Sequence, residues 1–325
     1  MKNYRLPQML IAVAVGLVAA QPASATIVFV PTFTAAFNTN FGANAAAAQA
    51  AWNQAAAIFS TNFDDNIHIN ITVDGVAGTG ILGQSSTPIF STTYNALYNA
   101  VLADRTSADD NTLTNTGGSL GGNGTAGSAA DPIGTAHNWW TTRAQRKALG
   151  LLADDATNDG TTTFGAGFSY TFSGAIAAGT IDFQGVVAHE ISEVMGRIGI
   201  CGGSVAGAPG YTLIDAMSFS GAGTRNTGNG ANANFSIDNG NTLLKGFNNN
   251  ASFGGDCRDW ASGTNDAFNA FSSSGVANPV TAVDLRIMDV IGYTAAAAVP
   301  EPATISFVAA GLLALGFVRR RNSRS

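Results

Sequence analysis

The sequence predicts an α+β domain: several helices packed on a small mixed sheet, with an irregular C-terminal half. Three observations predict it. Apolar residues recur at helical spacing in four or five separate stretches, one segment alternates with period two, and the C-terminal half is rich in Gly and Asn.

Taken in order, residues 43–63 are Ala-rich, and Ala50, Trp52, Ile58 and Phe59 give them an apolar side, which predicts a helix. Residues 67–73 alternate apolar and polar as a half-buried strand does, with His68 on the polar, surface side. Tyr94, Leu97, Tyr98 and Val101 mark a second helix over residues 92–105. Residues 109–131 are rich in Gly, Asn, Ser and Thr and read as a long surface loop. Residues 141–150 read as a short helix ended by Gly150, with Arg143, Arg146 and Lys147 on a solvated face. His137 precedes it beside Trp139 and Trp140, and takes a packing or loop role. Residues 154–160 carry oxygen donors but lack EF-hand spacing and its distal Glu, so they read as a turn. Residues 235–238 read as a strand. Residues 281–291 read as a closing helix, capped by Thr281 with Asp284 three residues on and stopped by Gly292. The number of helical stretches disfavours a β-sandwich adhesin, and no repeat suggests a solenoid or propeller.

The two ends carry addresses. Lys2 and Arg5, an apolar run over residues 9–20 and Ala23-Ser24-Ala25 follow the order of a secretory signal, so residues 1–25 are read as a leader. At the other end Val299-Pro300-Glu301-Pro302 is followed by an apolar segment over residues 305–318 and then Arg319, Arg320, Arg321 and Arg324. That segment is shorter than the roughly 20 residues that cross a bilayer untilted, and its arginines favour the cytoplasmic side. Residues 299–325 resemble the PEP-CTERM sorting tail of Gram-negative bacteria. The resemblance implies an exosortase-type partner, a transient membrane anchor and a final place outside the cell or in its envelope.

The body between them, residues 26–298, is long enough for one large core. The chain has 15 Lys+Arg and 21 Asp+Glu; six of the bases and one acid lie in the two ends, which leaves the body near −11. Such a charge repels phosphate backbones and argues against a nucleic-acid partner. Both cysteines, Cys201 and Cys257, lie in the exported body, where an oxidising compartment predicts one disulfide between them; a zinc-bound Cys201 is the alternative.

The chemistry concentrates in residues 182–198. Phe183, Val187, Ile191, Val194, Met195 and Ile198 make the apolar face of a helix, and His189 and Glu193, four apart, project together from another. Ala188-His189-Glu190-Ile191-Ser192-Glu193 begins like the His-Glu-x-x-His helix of zinc peptidases, with Glu193 where the second histidine stands. Helical i,i+4 placement brings two side chains to one ion, and Glu190 is then the general base. Gly196 fits the longer metzincin pattern, but Gly199 occupies its third-histidine position. A carboxylate ligand at Glu193 still suits zinc and shifts preference toward harder divalent ions. Asp215, in Thr212-Leu213-Ile214-Asp215-Ala216, is the first candidate for the third ligand, and Asp182, nearly two turns earlier on the same helix, the weaker one. A three-ligand site requires a carboxylate from outside the helix within about 5 Å of the His189 ring. The competing reading is a ladder of i,i+4 pairs, His189 to Glu193 to Arg197, that satisfies itself without metal.

Asp182-Phe183, the segment from Ala188 to Arg197, Phe235-Ser236-Ile237-Asp238 and the segment from Asp284 to Tyr293 together resemble a family of exported bacterial proteins classed as metalloproteases, distantly similar to metzincins. The resemblance spans residues 35–293. It implies a zincin-like fold with an active-site helix, zinc or another divalent metal, and a protein or peptide substrate. It carries His189 over as ligand, Glu190 as base and Glu193 as occupant of the second-ligand position. By the same resemblance Met288 is a candidate for the methionine turn beneath the metal, although its helical context favours a core position. A second hypothesis keeps the scaffold without catalysis, as a surface or biofilm-matrix protein that binds envelope polysaccharide.

Overall fold

The computed structural model describes residues 26–134, 136–249 and 255–297; the leader and the sorting tail lie outside them. Its architecture is α+β, with three four-stranded sheets and one two-stranded sheet in place of the single small sheet expected.

The first sheet positions the site. Its strand order is Val28–Phe33, His68–Val76, Gly160–Gly165, Gly83–Ser86, with Gly83–Ser86 antiparallel at the edge and the others parallel. The alternation read over residues 67–73 is the alternation of this second strand: Ile69, Ile71 and Val73 point into the core while His68 is exposed. The Ala-rich stretch over residues 43–63 forms the helix Ala45–Asn62, preceded by a further helix, Ala35–Phe41, and a short 3-10 turn. The second buries Ala48, Ala51, Trp52, Ala55, Ala56 and Phe59. Its small side chains let the motif helix, Phe183–Val194, pack closely against it and against the sheet. A single apolar core runs from Ile27 to Tyr293.

Several expectations need correction. Residues 109–131 are not all loop: Ala108–Thr114 is a helix, because Ser107 and Asp110 form a capping box and Leu113 supplies a buried anchor. The segment after His137 is first a strand, Asn138–Thr142, and only then a helix, Arg143–Ala148. Two consecutive tryptophans and two threonines favour the pleated surface over the helix. Its basic face is not solvated either. Lys147 is fully buried and donates to Asp159 Oδ2 (2.8 Å), to the His68 carbonyl (2.9 Å) and to the Asp155 carbonyl (3.2 Å). The oxygens of residues 154–160 therefore wrap an ammonium from the chain itself. The strand expected over residues 235–238 is shortened to Asn234–Phe235, because Ser236 turns back to hydrogen-bond Asp238. The closing helix spans Ala282–Val290 with the Thr281/Asp284 capping box, and Met288 is a core residue. His137 packs among Asp131, Trp139 and Tyr211, away from the motif helix.

Candidate metal centre and cleft

The motif helix starts at Asp182, whose Oδ1 accepts from Gly185 N (3.2 Å) while Oδ2 accepts from Asn278 N (2.9 Å). Asp182 is thus a cap, and takes no part in the cluster near His189. At the other end Gly196, with φ of 114°, stops the helix, and Arg197 N returns to the Ser192 carbonyl (2.9 Å). This reversal folds the Arg197 side chain back beneath its own helix. Its Nε donates to Ser192 Oγ (2.7 Å), and its guanidinium lies 4.4 Å from the centre of the Phe268 ring.

Three donors from two elements converge above that arginine. His189 Nε2 stands 3.4 Å from Glu193 Oε1 and 3.5 Å from Asp259 Oδ1. All three ligand atoms lie within 4.8 Å of one another. Ligands held about 2.0–2.2 Å from a tetrahedral ion stand about 3.3–3.6 Å apart, whereas an N–H···O hydrogen bond closes to about 2.7–3.2 Å. The observed spacings are those of such edges, and they also let His189 hydrogen-bond Glu193.

The supporting contacts orient the three groups, and Arg197 shares the Asp259 oxygen that faces His189. His189 Nδ1 donates to the Ala267 carbonyl (2.9 Å), so Nε2 is the nitrogen turned toward Glu193 and Asp259. Ser85 Oγ, on the edge strand, donates to Glu193 Oε2 (2.8 Å) and leaves Oε1 facing His189. Arg197 donates to Asp259 Oδ1 (2.7 Å), and Asp256 N donates to Asp259 Oδ2 (3.2 Å). The donor set is one imidazole and two carboxylates, which fits zinc and equally a harder ion such as manganese.

Asp215, expected as third ligand, lies elsewhere, and this is the main correction to the site. Its Oδ2 accepts from Thr212 N (2.9 Å), Ile200 N (3.1 Å) and Cys201 N (3.3 Å), and its Oδ1 accepts from Arg258 Nε (2.8 Å). Of these contacts, the one to Arg258 ties down the segment next to Asp259. Cys201 and Cys257 form the expected disulfide, which closes the same junction and excludes a zinc-bound Cys201. Gly199 is part of it too: a Cβ there would meet Arg258 Cγ at 2.0 Å, so the position that a third histidine would take is filled by Arg258.

Glu190 completes the group. It is 6% exposed and lines the cleft, and no hydrogen bond reaches its carboxylate among the described residues. Gly83, on the edge strand, makes room for it: a Cβ there would lie 2.3 Å from Glu190 Oε1. The cleft, about 570 Å³, runs between the edge strand, the motif helix and the segment around Asp256, Asp259 and Ala267.

The electrostatics divide the two acids of the helix. Burial raises Glu190 well above the usual carboxylate range, and the neighbouring Glu193 charge adds to this. Glu193 is buried as well, but the His189 hydrogen bond and the charges of His189 and Arg197 outweigh burial and hold it low. Burial opposes a charge on His189, yet Asp259 and Glu193 prevail and lift it to about 10, so without an ion the imidazole is protonated. Asp256, at the cleft rim, is pushed up to about 7 by partial removal from water and by the Glu193 and Asp259 charges.

Residues 298–322 match the model of the PEP-CTERM protein-sorting motif. The chain therefore carries the signal of an exported protein sorted to the envelope, and an exosortase-type enzyme recognises such a motif. No curated protein and no solved structure matches the chain. Among the described residues no helix is long and apolar enough to cross a membrane, and the apolar segment of the tail lies outside them.

Proposed function

We propose that the exported body is a zincin-like, metal-dependent peptidase, with a divalent ion held by His189, Glu193 and Asp259 and with Glu190 as the acid–base group. The observation that carries this reading is Glu190. A largely buried carboxyl with a raised proton affinity, opening on a cleft beside a ligand cluster, is the kind of group that acid–base chemistry uses. A divalent ion at the cluster supplies Lewis acidity, polarising a carbonyl and acidifying water. The raised affinity of Glu190 for protons suits it to take one from attacking water and pass it to the departing amide nitrogen as the C–N bond breaks. Gly83–Ser86 lies at a sheet edge, so an extended peptide fits beside it as an added strand. Ser85 and Arg197 hold Glu193 and Asp259 in place.

The experiment is hydrolysis of an unstructured protein such as casein by the metal-loaded protein. Chelation should abolish cleavage, and Glu190→Gln should lower kcat about 10²–10⁴-fold with the metal retained. Activity indifferent to Glu190→Gln contradicts the proposal. One observation favours a second reading, a non-catalytic surface protein: the Arg197 guanidinium, 2.7 Å from Asp259 and 3.6 Å from Glu193, already supplies positive charge to both acids. That reading predicts a folded, unreactive protein that takes up no ion.

A further inference from the structure

The cleft holds one acid that no basic side chain among the described residues matches. Among the described residues its lining carries Glu190, Glu193, Asp256, Asp259 and Asp266, with His189 as the basic side chain. Asp266 is matched by Lys245 and by the Thr281 hydroxyl at 2.9 Å. Glu193 and Asp259 face His189 and Arg197, and a dication between them leaves the arginine charge to offset Glu190. Asp256 remains. Its main chain donates to Asp259 and accepts from Asn248 at 3.2 Å, and its side chain, on the exposed rim, shares a hydrogen bond with Glu193 but has no cationic partner among the described residues. Independently, the unpartnered and buried Glu190 points into the same cleft, which marks the space as one built for a ligand.

Resting on the peptidase reading, we infer that Asp256 is a specificity-determining residue that receives a cationic side chain, lysine or arginine, of the peptide bound in this cleft. The guanidinium or ammonium reaches the rim carboxylate while the backbone of the same peptide lies toward Glu190. An acidic residue at that place in the peptide meets Asp256, Glu193 and Glu190 together and is rejected by like charge.

The test separates binding from turnover. Full-length protein carrying Glu190→Gln, loaded with zinc or manganese, is titrated with fluorescent peptides that are identical except for Lys, Gln or Glu at one position, scanned along the sequence. The expected result is a position at which Lys binds about tenfold tighter than Gln and Glu more weakly than either, with the preference shrinking as salt rises. Asp256→Asn should bring the three peptides within about twofold of one another while the metal content and melting temperature stay as before. No preference at any position, or a preference that survives Asp256→Asn, overturns the inference. Loss of the metal in Asp256→Asn also overturns it, by making Asp256 a ligand. A lysine preference in binding without cleavage by the unmutated protein leaves the inference standing and removes the peptidase reading.

Discussion

Replacing Gly83 by alanine probes Glu190 without touching it. The new methyl would stand 2.3 Å from Glu190 Oε1 and 2.8 Å from Val186 Cγ1, both closer than van der Waals contact allows. Val186 has limited room on a packed helix, while the Glu190 carboxyl is the free end of a flexible side chain. It therefore swings away by about 1 Å or more, the scale at which misplaced catalytic groups cost about 10²-fold. The substitution lies on an edge strand, so the overpacking costs about 1–3 kcal/mol and the fold persists. The three atoms nearest the new methyl belong to Glu190 and Val186, so the metal affinity should change by less than about threefold. The assay is kcat for peptide cleavage at saturating metal, together with metal content and urea unfolding. A Gly83→Ala protein that keeps its metal and its full kcat refutes the role given to Glu190.

Other expectations follow from the same contacts. Lys147→Met leaves Asp159 buried without its ammonium and should cost about 3–5 kcal/mol in urea unfolding, with part regained in the Lys147→Met/Asp159→Asn double variant. Reducing the Cys201–Cys257 bond frees the segment that bears Asp259, so ion affinity should fall by about tenfold or more and return on reoxidation. Burial lifts Asp65 from 3.8 to about 7, and burial with the charges of Asp65, Asp110 and Asp289 lifts Asp104 from 3.8 to about 8. Since both values are raised by folding, their contribution to stability is present below pH 4 and lost as pH climbs through 7 to 8. Asp65→Asn should accordingly lose less stability than the parent between pH 5.5 and 8; an unchanged difference contradicts the assignment.

How much of this was legible in the sequence depends on whether a local pattern sufficed. The motif helix and the strand around Ile69, Ile71 and Val73 declare themselves by periods of three to four and of two, because a buried face writes its spacing into the chain. The helix Ala108–Thr114 was hidden by Asp, Asn and Thr, although Ser107 with Asp110 was a readable start signal. Lys147 reads as part of a solvated basic face in the sequence; its burial depends on Asp159, which comes to it only in three dimensions. The site shows the same division. His189, Glu190 and Glu193 lie on one helix and could be grouped by counting, whereas the carboxylate that joins them comes from a loop 66 residues beyond Glu193. Spacing pointed to Asp215, which proves to anchor that loop through Arg258. The cysteines held the better clue, since a Cys201–Cys257 bond brings Asp259, two residues further on, to the end of the motif helix.

The proposed centre requires an ion gripped by His189, Glu193 and Asp259, and metal stoichiometry measures that directly. The purified body, dialysed against trace zinc and manganese, should hold one divalent ion per chain, and Asp259→Asn should release it while remaining folded. A folded wild-type protein that binds no ion, or an Asp259→Asn protein that retains one, would contradict it.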